Sequence, residues 1–388
     1  MAGYPQYDAK LLKVLDAQAA AILGVFAAKN YERVEPPILQ PADAFLDRSG
    51  EDIRRRTFVL TDPAGQELCL RPDLTIPVCR MQLAGNAKFP ARLAYHGPAF
   101  RFQPNQPERP SQFLQTGVEC LGVTNRGAAD TEVLSLAVEG VRATGLKDFS
   151  VKLGDLALFA GLIDALDIPP QWRGRLKRHF WRPAYFRELL KRLSDGAPVA
   201  GERYLAHLGT ADEKDARAAL SGLMDYLGSA PTGGRTREEI IERLMEQAAE
   251  AAAIRLDKNA VALIERVLSM SGPAKKSVAE IRALLKRNRI EVEAPLKEME
   301  SRIAALETLG LKESRISFAA RFGRNMEYYT GFVFELWSKD SEGPVQVAGG
   351  GRYDTLMKTL GAKRNVPAIG GAIRSERVLA ARRATGAL

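Results

Sequence analysis

Strand-forming segments lie at both ends of this chain, and a long helix-forming stretch separates them. Alternating or continuous apolar runs fall at 57–60, 67–70, 92–103, 112–122 and 149–153. They return only after about residue 310, in ISFAARF, MEYYTGFVFELW and PVQVAGGGRYD. Between about 156 and 310 helix formers dominate, punctuated by LSDGAP, GSAPTGG and SGPAKK. A chain patterned this way assembles one sheet from segments far apart in sequence. The expectation is an α+β fold, an antiparallel sheet flanked by helices. Residues 1–155 form the first part of its core, 156–295 a mainly helical insertion, and 296–388 the second part of the core.

Local signals refine this outline. Leu11, Leu12, Leu15, Ala19, Ile22, Leu23 and Phe26 follow the helical period over 8–29. Pro36 and Pro37 keep the next segment extended. DPAGQ reads as a hairpin turn between the two short strands at 57–60 and 67–70. RPDLTIPVCRMQLA starts as a loop and becomes a short helix. Asp130 is expected to cap a helix running to about Thr144, and a last helix starts near Ser375.

Composition narrows the function classes. The net charge of +9, from 56 basic and 47 acidic residues, permits an acidic or nucleic-acid partner without requiring one. The basic run RGRLKRHFWRP, with Trp172, Phe180 and Trp181, reads as a helix surface over core aromatics; a phosphate-rich or protein partner is the alternative. Cys69, Cys79 and Cys120 lack CxxC spacing and sit in apolar surroundings, which predicts buried thiols in a reducing compartment. The three histidines form no ligand-like group, and neither HExxH nor a nucleophile elbow occurs. No metal and no cofactor is therefore expected. An acid-bearing amphipathic N-terminus and the lack of any long apolar run predict a cytoplasmic protein without a membrane span.

Strand residues two apart share a face. In QFLQTGVECLG this aligns Phe113, Gln115, Gly117, Glu119 and Leu121. An amide, a gap and a carboxylate make a floor suited to a small cationic or amine ligand. Ala99, Arg101 and Gln103 share a face of the partner strand and add a cation. The alternative is a solvated sheet face, against which Phe113 and Leu121 argue. LRPDLT adds Arg71, Asp73 and Thr75; RNMEYYTG adds Arg324, Glu327, Tyr328 and Tyr329. The two tyrosines are expected on opposite strand faces. GGGRYD lets the backbone approach a ligand or a neighbouring strand closely.

Taken together these segments resemble histidyl-tRNA synthetases. VEPPIL resembles the first class II aminoacyl-tRNA synthetase motif, LRPDLT the LRPEGT segment, and FRFQ…QFLQTGVE the second motif. RNMEYYTGFVFE, GGGRYD and IGGAIRSERVL resemble the family's later segments. The resemblance implies a six-stranded antiparallel class II core, a dimer, and a histidine pocket of Asp73, Thr75, Arg101, Gln115, Glu119, Arg324, Tyr328 and Tyr329. Asp73, standing where the family has Glu, suits an α-ammonium group; Arg324 matches the arginine that meets the carboxylate. The nucleotide side departs from the pattern. Gln103 replaces a Glu, Ser111 an arginine, and Arg374 a glycine, while Arg109, Glu376 and Arg377 remain. These three changes mark a degraded nucleotide subsite. The chain stops at Leu388 with no room expected for an anticodon-binding domain.

A histidine site kept beside a weakened nucleotide side is similar to the ATP phosphoribosyltransferase regulatory subunits. That resemblance implies a non-catalytic chain, a short-form ATP phosphoribosyltransferase catalytic subunit as partner, histidine as feedback effector, and a homodimer within a hetero-oligomer. It implies no catalytic residue and no tRNA binding. The alternatives are an active histidyl-tRNA synthetase and a free-standing histidine-activating ligase, both of which need ATP.

Overall fold

The computed structural model describes residues 5–46, 50–85, 88–103, 109–180, 183–195, 208, 211–226, 237–238, 240–242, 244–245, 256–323 and 328–387. These residues form twelve strands: β1 (Glu32–Arg33), β2 (Leu39–Pro41), β3 (Val59–Thr61), β4 (Glu67–Leu70), β5 (Ala91–Phe100), β6 (Gln112–Leu121), β7 (Ser150–Asp155), β8 (Ser271–Pro273), β9 (Ile316–Ala319), β10 (Phe332–Asp340), β11 (Gly343–Arg352) and β12 (Ala368–Arg374). Nine of them make one sheet in the order β1-β5-β6-β12-β11-β10-β7-β9-β8. Its middle six, β5 to β7, are antiparallel throughout. Only the additions at the margins are parallel, β1 to β5 and β9 to β7. The antiparallel core expected from the strand pattern is thus extended into a mixed sheet.

The chain divides into two compact units, residues 1–162 with 267–388, and residues 163–266. The helix-rich stretch expected over 156–295 is shared between them. Helices Ala274–Arg287 and Glu293–Thr308 belong to the first unit, packed against β9 and the helix Arg126–Ala143. Composition marks a segment as helical but does not say which surface it covers. The second unit is built from helices such as Pro170–His179, Pro183–Asp195 and Glu213–Tyr226. Trp172 and Leu176 are buried there, and the Phe180 and Phe186 rings meet edge to face with centroids 6.2 Å apart. Trp172, Phe180 and Phe186 are core residues, whereas Tyr185 and Tyr226 are exposed. Trp181 lies outside the described residues.

In the first unit, helices Ala9–Ala27 and Arg126–Ala143 pack together over the sheet. Their close approach needs Gly140, where a Cβ would stand 2.8 Å from Ile373 and 3.3 Å from Ile22. The helix Arg126–Ala143 is capped by Asn125, which accepts from Ala128 N at 3.1 Å. Asp130 is not the cap. It lies one turn inside, fully buried, paired with Arg302 and Arg352. A short acid before an apolar run looks like a cap, and its true partners are 172 and 222 residues away. All three cysteines are free and buried. No described helix is long and apolar enough to cross a membrane.

Candidate functional site

Three strands converge on one recess. β6 pairs with β5 on one side and β12 on the other, which places Gly97 and Arg374 opposite Gln115, Tyr95 and Ala372 opposite Gly117, and Leu93 and Gly370 opposite Glu119. Small residues open the space. A Cβ on Gly117 would lie 2.5 Å from both the Tyr95 hydroxyl and the Gly371 carbonyl. The walls are Asp73 and Thr75 from the loop leading into helix Thr75–Ala84, Arg101 beyond β5, Gln115, Tyr95, Tyr328, Tyr329, Tyr353 and Arg374. The cavity they line is narrow, ≈ 30 Å³.

Two wall atoms stand out because they are buried without a partner. Asp73 Oδ1 accepts from Ile76 N at 3.2 Å, but among the described residues Oδ2 has no hydrogen-bond partner. Gln115 Oε1 is likewise unpartnered. Asp73 is 3% and Gln115 5% exposed, so bulk solvent does not reach them. Both are acceptors facing one recess, so the group that completes them is a donor. Burial pushes the Asp73 carboxyl up, and the neighbouring Arg101 guanidinium pulls it back. Arg101 itself donates from Nε to the Pro72 carbonyl at 2.7 Å.

Glu119 lies one layer below. It is fully buried and does not line the cavity. Thr75 Oγ1 donates to its Oε1 at 2.7 Å, and the Tyr353 hydroxyl donates to its Oε2. Burial pushes its carboxyl up to about 8, although Tyr353 and Thr75 pull the other way. Glu119 therefore holds its proton to higher pH than an ordinary carboxyl, and it supports the floor through Tyr353 and Thr75.

The tyrosine pair does not divide between two faces. Tyr328 and Tyr329 both line the recess, with ring centroids 4.9 Å apart, and Tyr328 meets Tyr353 edge to face at 5.7 Å. They precede β10 instead of lying in it, so strand alternation does not apply. Tyr95 and Tyr353 were missed as site residues. A tyrosine facing Gly117 across a strand pair, and another two residues after a glycine triplet, are the signals that point to them. Arg324 and Glu327 lie outside the described residues.

The presumed nucleotide side is dispersed. Gln103 accepts from Arg56, and Ser111 is buried with its carbonyl taken by Arg101 N at 2.7 Å. Neither lines the recess. Arg374 does. The Arg377 guanidinium is pulled down to about 10 by burial and by the positive charges of Arg109 and Arg101, so cationic character persists there. Arg71 is structural, donating from Nε to the Pro98 carbonyl at 2.8 Å. Among the described residues no group of three or more His, Cys, Asp and Glu side chains could hold a metal ion.

Comparison with known proteins identifies the family and the fold. The family model described as Histidyl-tRNA synthetase matches residues 10–220 and 219–378. The chain is 36% identical over 354 residues to the ATP phosphoribosyltransferase regulatory subunit of Brucella anthropi, covering 90% of this chain and 93% of that protein. It is 37% identical over 368 residues to the protein of the same name from Allorhizobium ampelinum, covering 94% and 97%. In fold it is similar to an ATP phosphoribosyltransferase regulatory subunit/histidyl-tRNA synthetase from Bacillus halodurans, with TM-score 0.66 and 23% identity over 98% of this chain and 82% of that one. Histidyl-tRNA synthetase from Nostoc sp. shares the fold at TM-score 0.63 and 15% identity, over 100% of this chain and 76% of that one.

Proposed function

The chain belongs to the family of ATP phosphoribosyltransferase regulatory subunits, and we propose that it serves the first step of histidine biosynthesis as a non-catalytic subunit whose recess holds free histidine. Catalysis resides in a short-form ATP phosphoribosyltransferase catalytic subunit, with which a homodimer of this chain forms a cytoplasmic hetero-oligomer. The observation that carries the ligand assignment is the pair of buried, unpartnered acceptors, Asp73 Oδ2 and Gln115 Oε1, in one recess. An α-ammonium group supplies the donors both atoms lack. Arg101 and Arg374 bring positive charge to the recess, and the tyrosine cluster offers flat walls and hydroxyls to an imidazole. Thr75 holds the Glu119 floor in place.

Feedback then requires that histidine bind the inactive and active assemblies unequally, since a ligand with equal affinity for both shifts nothing. The test combines calorimetry of L-histidine on the purified chain with phosphoribosyltransferase assays of a short-form catalytic subunit. Expected are histidine binding by the chain alone, activity that depends on adding the chain, and inhibition by histidine. Histidine-dependent pyrophosphate exchange with ATP by this chain alone, or no histidine binding, overturns the reading.

A further inference from the structure

Arg374 is the one long side chain on the recess face of β12. Gly370, Ala372 and Arg374 lie two residues apart and share that face. The first two leave room, and the third closes one end. The β12–β6 register sets Arg374 directly opposite Gln115, whose Oε1 is one of the two unpartnered acceptors. Arg374 itself lines the cavity with Asp73. Its guanidinium carbon lies 5.2 Å from the centroid of the buried Phe113 ring, and that of Arg101 lies 5.6 Å from the same centroid. One aromatic ring therefore lies against two guanidinium groups whose residues line the same recess as the two orphaned acceptors.

We propose that Arg374 is a specificity-determining residue that binds the free α-carboxylate of the amino acid. This rests on the amino-acid reading of the site. Donor-hungry acceptors and a cation stand side by side, which is the charge pattern of a zwitterion's head group. A strand step of two residues covers roughly 6.6 Å. With the α-ammonium at the Asp73–Gln115 level, a side chain of imidazole length extends toward the Gly117–Tyr95 level, and the carboxylate turns toward Arg374. The planar fork of an arginine suits a carboxylate, forming up to two parallel bonds. An amide, ester or alcohol at the same position offers no negative charge to the guanidinium. The recess then accepts the free amino acid and rejects its carboxyl-blocked forms, including an activated acyl intermediate.

The test is calorimetry on the full chain with L-histidine, L-histidinamide and L-histidinol, in wild type, Arg374→Ala and Arg374→Lys. In wild type, histidine binds about tenfold or more tighter than either derivative, the scale of a hydrogen bond to a charged group. In Arg374→Ala, histidine affinity falls by about tenfold or more while that of the derivatives changes by less than about threefold, so the preference collapses. Arg374→Lys restores part of it, and stands in should the alanine variant not fold. An unchanged histidine-to-histidinamide ratio in the variants overturns the role of Arg374 and leaves the histidine site intact. Absence of histidine binding in wild type overturns the site reading and this inference with it.

Discussion

Gly370 and Glu119 are cross-strand partners, and the Glu119 carboxylate fills the space that a side chain at 370 would need. A Cβ there would lie 1.7 Å from Oε2. Glu119 can therefore turn under the recess, toward Thr75 and Tyr353, only because β12 carries no side chain at that point.

Gly370→Ala is accordingly expected to destabilise the protein by about 1–3 kcal/mol, the usual scale of overpacking. Removing the obstruction should relieve much of this. In denaturant melts the Gly370→Ala/Glu119→Ala pair should fall short of the sum of its single effects. Strict additivity would mean that the two sites do not meet.

Glu119 also makes a pH signature. Its ordinary value of 4.5 is raised to about 8, with burial as the main cause. Between those values the unfolded chain has released a proton that the folded chain keeps. The contribution of Glu119 to stability therefore falls as pH rises from about 4.5 to about 8, and is level on either side. Glu119→Gln should lose this dependence. Relative to wild type, its melting temperature should rise steadily between pH 5 and pH 8.

Arg302 is 1% exposed and serves three acids, donating to Asp155 at 3.0 Å, to Glu298 at 2.8 Å and to Asp130. Its guanidinium also lies 4.4 Å from the Phe332 ring centroid. Arg302→Met keeps the bulk but strands the buried carboxylates. A loss of about 3–5 kcal/mol in urea-unfolding free energy is expected. The loss should shrink when Asp155→Asn is added, because one of the stranded charges is then gone.

Asp73→Asn separates binding from stability. The substitution removes a buried carboxylate whose Oδ2 has no partner. Histidine affinity measured by calorimetry should drop about tenfold or more, since a charge-assisted bond to the ammonium is lost. The melting temperature should hold or rise, because the buried charge costs stability in the unliganded chain. A fall in melting temperature with unchanged affinity would remove Asp73 from the ligand's contacts.

Much of the candidate site was legible in the sequence. Alternation in QFLQTGVECLG placed Gln115 and Glu119 on one face, and the DPAGQ turn marked the β3–β4 hairpin, closed by Asp62 Oδ1 accepting from Ala64 N at 2.9 Å and Gln66 N at 2.8 Å. Alternation says which residues share a face but not how deep each lies. Glu119 was expected at the surface of the pocket and lies beneath it, covered by Tyr353 and Thr75. Asp130 resembled a helix cap and is the hub of a buried ion network, because Arg302 and Arg352 come from elements far along the chain.

The sequence by itself determined the strand faces, the turn chemistry, the helical interruption and the family. These follow from side-chain period, backbone-restricting residues and ordered motifs, all of which are local or comparative. Only the tertiary structure decided that β12 runs between β6 and β11, which sets Gly370 against Glu119 and Arg374 against Gln115. That register joins strands some 250 residues apart and is selected by hydrogen bonding and packing across the sheet. It brings Arg374, read from sequence as a mark of loss on the nucleotide side, into the wall of the recess that Asp73 and Gln115 line.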